Sequence, residues 1–234
     1  RPPNAHHLKW AHWVYPCLYA ILVVISVSVH AETDCTAVTE IPTAQCETLI
    51  DLYNSTDGDN WANNTGWKQT NTPCSWYGVV CNNGDVTELK LYSNQLNGTF
   101  PNLSALTQLE NINVYNNTLS GSMPDLSALT QLEILALGKN QFSGHIPDLT
   151  GLSQLRILYL YDNQLTRTIP DVSSLANLEE FRLEQNQLTG TLPTWLNTLT
   201  NLRIIKLYSN QFSGNIPALN NLTNLETLLL GVNH

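Results

Sequence analysis

Leu132-Glu133-Ile134-Leu135-Ala136-Leu137-Gly138-Lys139-Asn140-Gln141-Phe142 is one copy of a frame, Leu-x-x-Leu-x-Leu-x-x-Asn-x-Leu/Phe, that recurs along this chain. Its asparagine returns as Asn94, Asn117, Asn140, Asn163, Asn186, Asn210 and Asn233, at steps of 23 residues with one step of 24. Self-similarity at a fixed period of about 20–29 residues marks a solenoid, in which each repeat is one coil that buries its apolar side against the next. One period therefore sorts buried positions from exposed ones and leaves a defined set of residues free for function.

Within each frame the last two leucines alternate with other residues, the period-2 pattern of a strand with one buried face. Successive coils place these strands side by side about 4.8 Å apart, so seven of them span about 29 Å of parallel sheet. The asparagine follows the strand, where the chain turns inward. Its amide both donates and accepts, and can pair backbone groups that the turn leaves open; stacked in register, these amides form a ladder. Gly98, Gly121, Gly144, Gly190 and Gly214 permit tight backbone geometry. Prolines 101, 124, 147, 170, 193 and 217 lock the extended segment that follows. Leu106, Leu129, Leu152, Leu175, Leu199 and Leu222 close the core from the far side. The expected fold is an α/β-type solenoid of leucine-rich repeats. It is a right-handed coil with a parallel sheet on the concave side, short helical or 3-10 turns on the convex side, and a disulfide-bonded N-terminal cap.

Composition narrows the class. The 234 residues are 42% hydrophobic and 12% charged, about half the usual charged share. The formal charge is −9, and without Arg1 and Lys9 the remainder holds 8 basic and 19 acidic residues, a balance of −11. An acidic body with no basic stripe argues against nucleic acid and against an electrostatic grip on anionic lipid. Leu18 to Val29 is an apolar run of 12 residues, and Val29-His30-Ala31 fits a small-x-small cleavage rule. A helix of that length covers about 18 Å, short of the roughly 30 Å hydrocarbon core, so it reads as a secretory signal peptide cut after Ala31. The chain starts at Arg1 and stops at His234, one residue past a repeat asparagine, which suggests a fragment. The expected organisation is an incomplete N-terminal extension with signal peptide over 1–31, a cap over 32–85, and repeats over 86–234, six complete and the seventh truncated.

With Cys17 assigned to the signal peptide, Cys35, Cys46, Cys74 and Cys81 remain, all ahead of the repeats. Four cysteines allow three pairings; Cys74–Cys81 closes a short loop, and Cys35–Cys46 follows by exclusion. No Cys-x2-Cys or adjacent histidine suggests zinc. Ile41-Pro42-Thr43 opens a helical segment with Pro42 suited to its first turn, and Leu49, Leu52 and Tyr53 form a short apolar stripe. Asn54 to Asn60 is a turn-rich loop, and Asp57-Gly58-Asp59-Asn60 lacks the spaced carboxylates of a calcium loop. Trp61, Trp67 and Trp76 then supply apolar bulk to seal the first coil, which a repeat stack requires.

Cys74-Ser75-Trp76-Tyr77-Gly78-Val79-Val80-Cys81 resembles the Cys-x-Trp-x-Gly-Val-x-Cys end of the N-terminal cap in plant-type leucine-rich-repeat proteins. The tails Asn140-Gln-Phe142-Ser-Gly144-His-Ile146-Pro147 and Asn210-Gln-Phe212-Ser-Gly214-Asn-Ile216-Pro217 resemble the repeat hallmark of the same class. That class includes receptor-kinase ectodomains and polygalacturonase-inhibiting proteins, with similar sequences in secreted bacterial proteins. The resemblance covers Cys35 to His234. Most repeats have 23 residues where the class favours 24, Arg167 stands where glycine is expected, and a cysteine pair before the cap tryptophan is reduced to Cys74 alone.

The strand positions that the period leaves free are Glu88, Lys90 and Tyr92; Asn111, Asn113 and Tyr115; Ile134, Ala136 and Gly138; Ile157, Tyr159 and Tyr161; Glu180, Arg182 and Glu184; Ile204, Lys206 and Tyr208; Thr227, Leu229 and Gly231. One column reads Tyr92, Tyr115, Gly138, Tyr161, Glu184, Tyr208, Gly231. Tyrosine pairs apolar area with a polar tip and is enriched where partners bind, although tyrosines also stack simply because they fit a pleated surface. Ile134, Ile157 and Ile204 add exposed apolar area, which monomers seldom show without use. The candidate binding residues are Lys90, Tyr92, Asn113, Tyr115, Ile157, Tyr159, Tyr161, Arg182, Glu184, Lys206 and Tyr208.

No catalytic residue, metal site or cofactor is expected. Past residue 31 only His145 and His234 are histidines, and no Ser-His-Asp or Cys-His set can be assembled. Glu180 and Glu184 flanking Arg182 read as strand partners rather than a glycosidase pair. The glycines follow the repeat period and open no phosphate loop. Asn54, Asn63, Asn97, Asn102, Asn116 and Asn221 head Asn-x-Ser/Thr sequons. The reading is a secreted or cell-surface module that recognises an extracellular peptide, protein or glycan along its concave and lateral faces. Its resemblance permits two variants: a receptor-like kinase ectodomain cut before a C-terminal membrane span, or an inhibitor of a secreted wall-degrading enzyme. A self-associating adhesin is a third.

Overall fold

Residues 32–233 are described by a computed structural model of the chain. The expected signal peptide and the stretch before it lie outside the described residues. From the cap onward each coil lays down two short strands. After β1 (Val79–Asn82), the first coil has β2 (Asp85–Lys90) and β3 (Asn97–Thr99), and the second has β4 (Asn111–Asn113) and β5 (Thr118–Ser122). The third coil has β6 (Ile134–Ala136) and β7 (Gln141–Gly144), and the fourth β8 (Ile157–Tyr159) and β9 (Gln164–Arg167). Next come β10 (Glu180–Arg182) and β11 (Gln187–Thr191), β12 (Ile204–Lys206) and β13 (Gln211–Ser213), and finally β14 (Thr227–Leu229).

The strands of the leucine frame build the expected main sheet, in the order β1-β2-β4-β6-β8-β10-β12-β14. All neighbours run parallel except β1, which pairs antiparallel with β2 and ties the cap to the first coil. Inward leucines such as Leu135 and Leu137 are fully buried, as are the closing leucines Leu106, Leu129, Leu152, Leu175 and Leu199. Burying each such side chain contributes about 1.5–3 kcal/mol, which is what drives the coil shut. Leu228 on the edge strand β14 is 39% exposed, although its inner equivalents are covered by the next coil.

The asparagine ladder forms as expected. Asn140 Oδ1 accepts from the Leu119 amide at 3.0 Å, while its Nδ2 donates to the carbonyls of Val114 and Leu137, both at 3.0 Å. Each amide thus clamps its own coil to the preceding one. Just before the ladder the chain turns through the left-handed region: Ser93, Asn116, Lys139, Asp162, Gln185, Ser209 and Val232 have φ between 52° and 56°. None is glycine, so every coil carries some strain at this corner.

Three features refine the expectation. The segment after each asparagine does not merely extend but forms a second parallel sheet, β13-β11-β9-β7-β5-β3. Arg167 fills the glycine slot of that sheet at φ 69°, the same left-handed region that its glycine counterparts occupy. Among the described residues the convex side of the repeats holds a 3-10 helix only at Thr194–Thr198, in the 24-residue repeat. Coils of 23 residues lack the extra residue and close through two successive i to i−3 turns, such as Leu129 N to Leu126 O and Leu132 N to Leu129 O.

In the cap, α1 (Thr43–Ser55) begins one residue later than expected. Pro42 is its N-cap, with ψ 145° outside the helical region, and its carbonyl accepts from Gln45 and Cys46. Cys35–Cys46 and Cys74–Cys81 are bonded, with Cα separations of 5.6 and 5.5 Å. Trp61, Trp67 and Trp76 pack at ring-centroid distances of 5.0 Å, and the latter two are shielded from solvent with Leu49, Leu52 and Tyr53. Asp57 and Asp59 spend their carboxylates locally, accepting from Asn60 Nδ2 and the Tyr53 hydroxyl. Burial, and then the bond to Asp59, pushes the Tyr53 pKa up to about 12.

Candidate functional site

Parallel register puts the free strand positions into straight columns. Glu88, Asn111, Ile134, Ile157, Glu180, Ile204 and Thr227 align, as do Lys90, Asn113, Ala136, Tyr159, Arg182, Lys206 and Leu229. Size variation along the columns then shapes the surface. Ala136 and Gly138 leave a low point on the third coil, and Tyr161 leans into it. A Cβ on Gly138 would lie 2.9 Å from that ring. Across the gap Tyr115 and Tyr161, two coils apart, stand 5.9 Å between centroids, and Tyr159 meets Tyr161 edge-on at 6.1 Å. The result is a groove of about 450 Å³ lined by Asn111, Asn113, Tyr115, Ile134, Ala136, Ile157, Tyr159 and Tyr161. The tyrosines thus stack on one another and wall an open hollow.

Charges border the groove mostly in paired sets; Lys139, 5.7 Å from the Tyr115 ring centre, makes no ion pair among the described residues. Lys90 pairs with Glu88 at 2.8 Å, and Asn111 Nδ2 donates to the same carboxylate at 3.0 Å. The Tyr159 hydroxyl donates to Glu180. Burial, and then Glu180, pushes the Tyr159 pKa up to about 12; burial, and then the neighbouring Tyr115 hydroxyl, does the same for Tyr161. The Arg182 guanidinium lies 4.3 Å from the Tyr161 ring centre and 4.9 Å from that of Tyr159. Burial works against its charge, yet hydrogen bonding to Glu184 holds its pKa above the ordinary guanidinium value.

Most of the expected residues converge here. Asn113, Tyr115, Ile157, Tyr159 and Tyr161 line the groove, with Arg182 against its tyrosine wall. Lys90 and Tyr92 sit toward the cap, where Tyr92 is 49% exposed, and Lys206 and Tyr208 lie half-buried on the far side. Lys206 makes no ion pair among the described residues. Glu184 departs from expectation: it is fully buried, receives Arg182 at 2.7 Å, and cannot present a carboxylate to a partner. Its frame position is outward, but it is covered where Arg182 folds back along the strand. Asn111, Ile134 and Ala136 complete the lining; they occupy the same columns but lack the aromatic signal that drew attention to their neighbours.

A second groove, also about 450 Å³, runs along the lateral edge between Arg156, Glu179, Arg203, Glu226 and the asparagines 177, 201 and 224. Arg156 bridges to Glu179 at 2.8 Å and Arg203 to Glu226 at 2.9 Å, each joining consecutive coils. The signal was present in the column preceding the strands, Glu110, Glu133, Arg156, Glu179, Arg203, Glu226, which alternates charge in its lower half. His145, the one histidine among the described residues, is exposed directly after β7.

Paired parallel sheets, an asparagine ladder and a tryptophan-sealed cap define a leucine-rich-repeat solenoid. Comparison with known proteins agrees. A family model described as leucine rich repeat N-terminal domain matches residues 42–82, and one described as leucine rich repeat matches 154–175 and 177–199. A probable leucine-rich repeat receptor-like protein kinase of Arabidopsis thaliana is 39% identical over 63 residues, 27% of this chain and 9% of that protein. The Arabidopsis receptor kinase HAESA, solved in complex with the peptide hormone IDA and the co-receptor SERK1, superposes with a TM-score of 0.71. It is 34% identical over 80% of this chain and 33% of that one. The leucine-rich-repeat ectodomain of the receptor kinase SOBIR1 from Arabidopsis thaliana gives a TM-score of 0.61 and 31% identity over 75% of this chain and 94% of that one. The chain belongs to the plant-type leucine-rich-repeat proteins. It spans a third of the solved HAESA chain and under a tenth of the kinase relative.

Proposed function

We propose that this chain is an extracellular recognition module, secreted or held at the cell surface, that binds a peptide or protein segment across its main-sheet face without catalysing a reaction. The observation that carries this reading is the groove between Tyr115 and the Tyr159–Tyr161 pair: apolar walls, polar tips, and no ionised side chain in its lining. Rigid aromatic anchors of this kind dominate protein interfaces because they bury large area at low entropic cost. The resemblance to HAESA, whose solved complex contains a peptide hormone, favours a peptide over a glycan. Two disulfides in the cap suit an oxidising compartment.

A display library of random linear peptides, selected on the purified chain, tests the reading. Wild type is expected to enrich a family of related sequences. The Tyr159→Ala/Tyr161→Ala variant, folded by circular dichroism, should capture them at least about 30-fold less tightly, as for other aromatic hot spots. Equal capture by that variant removes the groove as the site, and enrichment only on a glycan array replaces peptide with sugar.

A further inference from the structure

Glu184 stands in the tyrosine column but lies sealed beneath the surface. Its Oε1 accepts from two Arg182 groups, Nε at 3.1 Å and Nη2 at 2.7 Å. Two aromatic rings rest against the guanidinium from another side. A planar fork held by a carboxylate and by stacked rings keeps one pose, and Nη1 donates to no carboxylate or carbonyl among the described residues. Lys206 aligns with Arg182 on the neighbouring strand, and Glu180 completes the set of two cations and two carboxylates, so this part of the face has no excess positive charge.

We infer that Glu184 is a positioning residue: it fixes Arg182 as a donor to an uncharged acceptor, a main-chain carbonyl of the bound peptide, and cancels the charge that would otherwise draw a carboxylate. This rests on the peptide-recognition reading above. The argument is electrostatic. A carboxylate approaching Arg182 would also meet Glu184 and Glu180, whereas a carbonyl gains the hydrogen bond without that repulsion.

Glu184→Gln keeps the acceptor that Arg182 needs and removes the cancelling charge. Selecting the same random-peptide library on wild type and on this variant reads the difference. Wild type is expected to enrich peptides without net negative charge. The variant is expected to enrich peptides carrying Asp or Glu, which it binds about tenfold more tightly than wild type does. Acidic peptides winning on wild type, or the same sequences winning on both, would overturn the inference while leaving peptide recognition standing. No enrichment on wild type would overturn both. If Glu184→Gln does not fold, the salt dependence of wild-type capture decides. A change within about twofold between about 0.05 and 0.5 M salt supports a neutral acceptor, and a loss of about tenfold contradicts it.

Discussion

Asn163 shows how much one side chain carries. It accepts from the Phe142 amide at 2.9 Å and donates to the carbonyls of Leu137, Leu160 and Tyr161 at 3.0 to 3.2 Å. Alanine there strands several shielded backbone groups, so Asn163→Ala should cost about 2–4 kcal/mol in urea denaturation, well above an ordinary surface change. The tyrosines give a pH signature. Tyr53, Tyr159 and Tyr161 are raised from 10.0 to about 12 in the folded chain. Between those values the folded state binds more protons than the unfolded one, so stability is intact below pH 10 and falls as pH rises through 12. Ultraviolet titration should show a late-ionising group of tyrosines, reduced by Tyr161→Phe. The asparagines and glycines were legible in the sequence because a structural demand repeated in every coil repeats its residue. Glu184 was not, because its burial depends on Arg182 two residues away and not on the frame.

Among elements, the seven parallel strands of the main sheet were readable from alternation, whereas β1, antiparallel at its cap edge, was not. The second sheet was not: its segments are three to five residues long, four of the six hold a glycine, and they run toward proline, features that read as turn rather than strand. The cap is fastened by α1. Gln45, buried in that helix, accepts from the Val86 amide at 2.9 Å and donates to Asp85 at 2.6 Å, locking both residues at the start of β2. Gln45→Ala should cost about 1–3 kcal/mol and speed hydrogen exchange in β2 before β8. Uniform exchange along the sheet would show that the clamp is dispensable. The groove, too, belongs to this scale. Its tyrosines were evident in the sequence, but its depth comes from Ala136 and Gly138 lying between them, a contrast across three coils.

Across the whole molecule, stability spreads by nearest-neighbour contact, each coil resting on the last through leucines, amide ladder and inter-coil ion pairs. Such a scaffold tolerates free variation at outward positions, which is why the period identified the fold firmly and the binding surface only as a set of columns. The central claim is that the outward face of the main sheet receives the partner. Hydrogen–deuterium exchange of the chain with and without a peptide selected on it tests this most directly. Protection concentrated in β4, β6, β8 and β10 and in the turns that follow them is the expected result; protection confined to the second sheet or the convex turns, with those strands unchanged, would contradict it.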